Sequence, residues 1–252
     1  MTDQRSTVVI DLDGVVWLAG EGLPGAAEAV EALRLRDFAV LFVTNNSSPT
    51  LDEYLGRFSA AGIETHSDEI ITAAHAAVHM TAHGSTAHLV GEAGLREAAA
   101  QHGIIETKDS PDTVIVGWSH DFDFETISVA ASAIRSGARF IATNDDPTHP
   151  TPQGLLPGTG SLVAAIATAA EAQPIVAGKP GEGALSLIRE RSNDVTLVVG
   201  DRPSTDGVLA ERLGVPFALV QSAATPAEQS EASYQGESLM SVVQAFLADR
   251  PR

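Results

Sequence analysis

Two acidic residues, Asp11 and Asp13, follow an apolar segment and are separated by a single residue. In extended backbone this spacing places both side chains on the same side of the chain. Two carboxylates held together repel each other unless a cation lies between them or one of them takes a proton. A divalent cation with oxygen ligands resolves the repulsion, and magnesium is the usual ion in phosphate chemistry. Gly14 then allows the chain to turn sharply and to approach a ligand closely.

Polar residues also follow three other apolar segments. These clusters are Thr44-Asn45-Asn46, Gly178-Lys179-Pro180, and Gly200-Asp201-Arg202 with Asp206 close behind. The Thr44 hydroxyl and the backbone amides after it can donate to phosphoryl oxygens, and Lys179 adds a fixed positive charge. Asp201 would bring a further carboxylate to the metal, and Asp206 could hold the metal's waters.

Together these groups allow a carboxylate to attack phosphorus. Lys179 and the metal would offset the repulsion between an anionic Asp11 and a phosphate dianion. Asp13 could protonate the leaving alcohol and then deprotonate the water that attacks the aspartyl-phosphate. Each cluster alone is also typical of a solvated turn or a helix cap. The hypothesis therefore depends on all four clusters following apolar strands in this order.

The elements that must position these residues alternate between short apolar segments and amphipathic ones. The predicted strands are residues 7–10, 40–43, 87–90, 113–116, 139–142, 196–199 and 217–220, and the predicted helices are 26–36, 51–61, 72–82, 92–102, 124–135, 161–170, 184–191 and 239–248. This alternation predicts an α/β fold, a doubly wound, Rossmann-like parallel sheet with helices on both faces. Ligands bind beyond the carboxyl ends of such strands, so we expect the four clusters to converge on one crevice. No polar cluster of this kind follows the predicted strands 87–90, 113–116 and 139–142, so we expect these strands in a separate unit.

Composition restricts the classes of partner and chemistry. The 252 residues carry a net charge of −18 and include no cysteine, which excludes disulfides and thiol catalysis. The negative field disfavours nucleic acid and anionic membrane as partners. The chain has two lysines, Lys108 and Lys179, so a phosphate site must rely on local cations. No apolar run of about 18 residues occurs, and the N-terminal apolar stretch is interrupted by acids, so we expect a cytoplasmic protein.

Four motifs, DLDGVVW, FVTNNSS, AGKP and VVGDRPSTD, together resemble the haloacid dehalogenase superfamily, and most of all its NagD-like, 4-nitrophenylphosphatase branch. The resemblance covers nearly the whole chain, including residues 140–163, which are similar to that branch's cap. It implies a doubly wound core with an inserted α/β cap domain. The implied bounds are 1–82 for the first part of the core, 83–172 for the cap and 173–252 for the second part of the core.

The resemblance also assigns a role to each site residue and implies Mg²⁺ as the cofactor. The implied catalytic residues are Asp11 as nucleophile, Asp13 as general acid and base, and Lys179; the phosphate- and substrate-binding residues are Thr44, Asn45, Asn46, Asn144, His149 and Lys179; the metal site comprises Asp11, Asp13 through its backbone carbonyl, Asp201 and Asp206. The implied partner is a small phosphorylated metabolite, with pairing of two copies through the cap.

The predicted function is magnesium-dependent hydrolysis of a small phosphate monoester through an aspartyl-phosphate intermediate. The chain has Ser204 where the branch usually has an acidic residue and Gly207 where it often has an aliphatic one. These differences motivate one alternative, a metabolite-binding module on a degenerate phosphatase fold. Phosphoryl transfer to another alcohol is a second alternative. Dehalogenation needs no metal, so the acidic set argues against it.

Overall fold

The computed structural model describes residues 5–151, 154–222 and 231–250. Contacts divide them into two compact units. The first contains the described residues of Met1–Thr44, Asp52–Ile71 and Leu185–Arg252, and the second those of Asn45–Leu51 and Thr72–Ala184. The domain bounds at 83 and 172 stay a prediction, and residues 152 and 153 of the cap-like segment lie outside the described part.

The described residues form the following elements. The strands are β1 Thr7–Ile10, β2 Trp17–Leu18, β3 Glu21–Gly22, β4 Ala39–Thr44, β5 Ile70–Thr72, β6 Thr86–Val90, β7 Ile105–Glu106, β8 Thr113–Val116, β9 Arg139–Ala142, β10 Thr148–Thr151, β11 Gly154–Pro157, β12 Ile175–Val176, β13 Val195–Gly200, β14 Phe217–Val220 and β15 Tyr234–Gly236. The α-helices are α1 Ala26–Leu35, α2 Leu51–Ala60, α3 Ala73–His79, α4 Ala93–Gln101, α5 Phe124–Arg135, α6 Thr159–Ala170, α7 Glu182–Arg191, α8 Val208–Leu213 and α9 Leu239–Ala248.

The sheet of the first unit has six strands in the order β15-β14-β13-β1-β4-β5. β1 pairs in parallel with β4 on one side and with β13 on the other, and its four residues are all buried. From β1 the chain proceeds outward through β4 and β5, and later returns beside β1 and proceeds through β13, β14 and β15. The strand order therefore reverses between β1 and β13. In open parallel sheets this reversal creates the crevice in which ligands bind.

The sheet of the second unit has five strands in the order β12-β9-β8-β6-β7, and each neighbouring pair is parallel. Helices α5 and α6 contribute to one apolar core with β6, β8 and β9, and β10 and β11 form an antiparallel hairpin. β12, the strand before Lys179, pairs with β9 at the edge of this sheet. The four polar clusters therefore do not all follow strands of a single sheet.

The predicted strands are confirmed, each to within one residue at either end, and the α/β fold class is confirmed with them. The prediction of a helix over 72–82 is wrong at its end, because α3 stops at His79. There Thr81 donates its hydroxyl to the Val78 carbonyl, and Gly84 has a positive φ of 77° that turns the chain away. Within the described ranges, no helix is long and apolar enough to cross a membrane.

Candidate active site

The loop after β1 presents Asp11 at the carboxyl end of the central strand. The Asp11 amide donates to the Val199 carbonyl at 2.9 Å, which continues the pairing of β1 with β13. Gly14 has a φ of +88°, and a Cβ at this position would overlap the Asp201 carboxylate and lie 2.8 Å from Ser222 Oγ. Only glycine allows the loop to pass this close to the other strand end.

Three carboxylates meet where the strand order reverses. Oxygen atoms of Asp11, Asp201 and Asp206 all lie within 4.8 Å of one another, and all three residues are buried. Asp206 comes from the turn Pro203–Gly207 and is 1% exposed. Its Oδ2 accepts a hydrogen bond from the Arg202 amide at 3.3 Å.

This donor set fits a divalent cation. Three buried anions at this separation repel one another strongly, and a cation among them removes the repulsion. Carboxylate oxygens are the ligands that Mg²⁺ uses in proteins, so Asp11, Asp201 and Asp206 are suited to hold it. The Asp206 carboxylate lies with those of the other two residues, and whether it binds the metal directly or through water stays a prediction.

Asp13 is half-buried, and its carboxylate is not a member of the group of three. Its Oδ1 accepts a hydrogen bond from the indole nitrogen Nε1 of Trp17 at 3.1 Å. The expected roles of Asp13, proton transfer by its carboxyl and a metal contact through its backbone carbonyl, stay predictions.

Thr44 is the last residue of β4 and is buried. Its hydroxyl is hydrogen-bonded to the hydroxyl of Tyr54, which is fully buried in α2. Burial raises the pKa of the Tyr54 hydroxyl, and the negative charge of Asp13 raises it further. The phenol therefore stays protonated over the working range of the protein.

The structure places Asn45, Asn144 and Lys179 together in the second unit. Asn144 Nδ2 donates to the Asn45 carbonyl at 2.6 Å, and Asn45 Nδ2 donates to the Lys179 carbonyl at 3.1 Å. The Lys179 side chain is buried, and the peptide bond that follows it, to Pro180, is cis. Side-chain amides thus hold the predicted phosphate-binding loop against the predicted lysine.

Two further predicted residues, Asn46 and His149, also lie in the second unit. Asn46 Oδ1 accepts from the Ser48 amide at 3.1 Å, so this side chain shapes its own loop. The His149 ring lies 5.1 Å from the Trp118 ring, and Trp118 Nε1 donates to the Pro157 carbonyl at 2.9 Å. The participation of these second-unit residues in one site with Asp11 stays a prediction.

Sequence reasoning missed Trp17, Tyr54 and Ser222. Trp17 lies four residues after Asp13, and a tryptophan directly beside an acidic pair was a usable signal because a buried indole N–H needs an acceptor. Tyr54 and Ser222 had no such signal, since no local pattern indicates that α2 brings Tyr54 to Thr44 or that Ser222 lies near Gly14.

Two family models match the chain. The model described as haloacid dehalogenase-like hydrolase matches residues 8–105, and the model described as HAD-hydrolase-like matches residues 176–245. The first match contains Asp11 and Thr44, and the second contains Lys179 and Asp201. The matched segments therefore include all four clusters.

Characterised proteins resemble most of the chain. It is 36% identical over 228 residues to D-glycerol 3-phosphate phosphatase of Mycobacterium tuberculosis, a match that covers 87% of this chain and 64% of that protein. The chain thus spans less than two thirds of that relative's length. It is also 36% identical over 219 residues to dihydroxyacetone phosphatase of Corynebacterium glutamicum, covering 84% of this chain and 79% of that protein.

Solved structures agree with these matches. A crystal structure of glycerol phosphate phosphatase from Mycobacterium tuberculosis in complex with magnesium superposes with a TM-score of 0.85 at 34% identity, covering 95% of this chain and 76% of that chain. A 4-nitrophenylphosphatase from Thermotoga maritima has a TM-score of 0.87 at 25% identity, covering 95% and 97%. The chain therefore belongs to the haloacid dehalogenase-like hydrolases and is similar to the NagD-like, 4-nitrophenylphosphatase branch of that family.

Proposed function

We propose that this chain hydrolyses small phosphate monoesters with Asp11 as the covalent nucleophile. The observation that carries the proposal is the buried group of Asp11, Asp201 and Asp206, with Asp13 two residues from Asp11 and its carboxylate outside the group. This arrangement separates a metal-holding set from a proton-transferring group. Mg²⁺ would be held by the three carboxylates and the Asp13 backbone carbonyl, and when bound it supplies positive charge beside the phosphoryl group.

The reaction has two displacements at phosphorus. An Asp11 oxygen attacks phosphorus, the bond from phosphorus to the alcohol oxygen breaks, and the Asp13 carboxyl gives its proton to the leaving oxygen. Water then attacks the aspartyl-phosphate and loses its proton to Asp13, and the bond between phosphorus and the Asp11 oxygen breaks. Inorganic phosphate is released. Thr44 and Asn45 donate hydrogen bonds to the phosphoryl oxygens in both steps, and Lys179 supplies positive charge to them.

The proposed substrates are small alkyl phosphates, such as polyol and sugar phosphates. Relatives named as phosphatases of D-glycerol 3-phosphate, dihydroxyacetone and acid sugars support this class. In the second unit, the ring pair of His149 and Trp118 would offer flat surfaces to the leaving group, while Asn144 and Asn46 hold the loop that binds phosphate. The two altered positions, Ser204 and Gly207, would tune metal affinity rather than remove a ligand.

Pairing of two copies through the predicted cap, residues 83–172, is part of the proposal. Most of the exposed large apolar side chains among the described residues lie in the second unit: Ile105, Phe124, Leu155, Leu156 and Ile175. Light scattering on the wild type and on Phe124→Asp, with Leu35→Asp as control in the first unit, tests the pairing. A monomeric wild type would contradict the pairing.

A cytoplasmic location is part of the proposal and is tested by cell fractionation.

The deciding experiment is a phosphatase screen over small phosphate esters, with Mg²⁺ and with a chelator. We expect turnover of at least one alkyl phosphate, abolished by the chelator and reduced at least about 1000-fold in Asp11→Asn. Asp37→Asn is the matched control, because Asp37 is exposed in the same unit and has a φ of 64° that asparagine also tolerates. Undiminished activity of Asp11→Asn would refute the covalent route.

A further inference from the structure

Trp17 contacts the Asp13 loop through its backbone as well as its side chain. Its amide donates to the Leu12 carbonyl at 3.2 Å, and its carbonyl accepts from the Gly14 amide at 2.7 Å. Its indole Nε1 donates to Asp13 Oδ1 at 3.1 Å. The residues on both sides of Asp13, and Asp13 itself, are thus all bonded to one buried tryptophan.

The indole of Trp17 belongs to a packed aromatic group. It stacks on the Tyr54 ring with centroids 6.3 Å apart and an angle of 24°, and the Phe58 ring meets its edge at 4.9 Å. All three side chains are at most 1% exposed. Tyr54 is in turn hydrogen-bonded to Thr44. One rigid stack therefore connects the carboxylate of Asp13 with the hydroxyl of Thr44.

Neither aromatic residue can carry out the chemistry itself. An indole N–H is a donor only, and it keeps its proton under working conditions. A buried, protonated phenol carries no charge that could stabilise a phosphoryl group. Both polar atoms instead restrict the rotation of a neighbouring side chain, and catalytic groups lose efficiency when their orientation is not held.

We propose that the stacked pair of Trp17 and Tyr54 positions the proton-transferring carboxyl of Asp13 and the phosphoryl-binding hydroxyl of Thr44. This inference rests on the function proposed above. It assigns different consequences to the two residues. Trp17 acts on proton delivery to the leaving group, whereas Tyr54 acts on phosphoryl binding, which is common to every substrate.

The test compares two esters that differ in their need for an acid. An alkyl phosphate has a poor leaving group that requires proton delivery, whereas 4-nitrophenyl phosphate releases a stable anion without it. For Trp17→Phe we expect kcat/KM to fall about 10-fold with the best alkyl phosphate of the screen and less than about 3-fold with 4-nitrophenyl phosphate. The ratio kcat/KM includes only the steps up to departure of the leaving group, so it isolates this role of Asp13.

For Tyr54 we expect an effect that does not depend on the leaving group. Tyr54→Phe keeps the ring and removes the hydroxyl, so we expect KM to rise by a similar factor with both esters. Phe58→Leu is the packing control, because it loosens the stack while both polar contacts remain. Its ratio of the two kcat/KM values should equal that of the wild type. Thermal unfolding of each variant separates loss of folded protein from loss of positioning.

The outcomes are distinct. An equal loss with both esters in Trp17→Phe, matching that of Phe58→Leu, would show that the indole only fills the core and would overturn the inference. A leaving-group-selective loss in Phe58→Leu would overturn it as well. If the folded wild type hydrolyses no ester of either kind with Mg²⁺, the proposed function itself fails.

Discussion

Replacing Asp206 by asparagine should make the metal-free protein more stable and its stability less responsive to Mg²⁺. The amide has almost the same shape as the carboxylate, and its oxygen can still accept from the Arg202 amide. The change therefore removes one negative charge from the site with little effect on packing. Asp206 is the most buried of the three acids, so its charge is the least screened by water.

The expected change in unfolding free energy follows from the distance between the carboxylates. Two unit charges within 4.8 Å repel by at least about 3.5 kcal/mol at an effective dielectric constant of about 20. A carboxyl can escape part of this repulsion by taking a proton, at about 1.4 kcal/mol per unit of pKa. We therefore expect the metal-free Asp206→Asn protein to gain about 1–3 kcal/mol of unfolding free energy relative to the wild type.

Magnesium should narrow this difference in stability. At 100 times its dissociation constant, a ligand stabilises the folded state by about 2.7 kcal/mol, and each tenfold loss of affinity removes about 1.4 kcal/mol at a fixed Mg²⁺ concentration. With one ligand charge removed, the variant should gain less from Mg²⁺ than the wild type does.

Urea unfolding followed by circular dichroism, with chelator and with Mg²⁺, measures both quantities. Asp37→Asn makes the same chemical change at an exposed position and should behave as the wild type. If Asp206→Asn is no more stable than the wild type without metal and responds equally to Mg²⁺, the three carboxylates do not form a metal site.

Three other substitutions test separate parts of the structure. Gly14→Ala should cost at least about 2 kcal/mol and weaken Mg²⁺ binding, because its Cβ would overlap the Asp201 carboxylate at a backbone angle that alanine disfavours; calorimetry with Mg²⁺ measures both. His88→Leu should flatten stability between about pH 7 and pH 5 in urea titrations. Burial, with nearby positive charges, lowers the pKa of His88, so the unfolded chain binds the proton first and the wild type loses stability as the pH falls below 6.5. Ser238→Ala removes the N-cap bond of α9 and should lower the unfolding free energy by about 1 kcal/mol.

Much of the fold could be predicted because its strands are short, apolar and buried on both faces. Residues 7–10, 113–116, 139–142 and 217–220 were predicted with the bounds that the structure has. Strands without this pattern were not predicted. β2, β3 and β15 are two or three residues long and partly exposed, and they exist only because a neighbouring segment supplies their hydrogen bonds.

The placement of β12 shows a second limit. Residues 175 and 176 read as an apolar stretch before Lys179, and nothing in their composition decides which sheet they join. They pair in parallel with β9, at the edge of the sheet of the second unit. Which sheet a strand joins depends on which sheet edges remain unpaired, and the local sequence does not encode this.

The sequence by itself determined which residues can carry the chemistry, because acids two apart after a buried strand, a glycine in the turn and a lysine before proline are local features. It also determined the α/β class, since that follows from the alternation of patterns along the chain. Only the tertiary structure decided that the carboxylates of Asp11, Asp201 and Asp206 come within 4.8 Å of one another, and that Trp17 and Tyr54 are hydrogen-bonded to Asp13 and Thr44. Asp11 and Asp201 are distant along the chain and meet because β1 and β13 are neighbours in the sheet. Trp17 and Tyr54 lie near their partners in sequence, but the loop after β1 and the packing of α2 decide that they touch them.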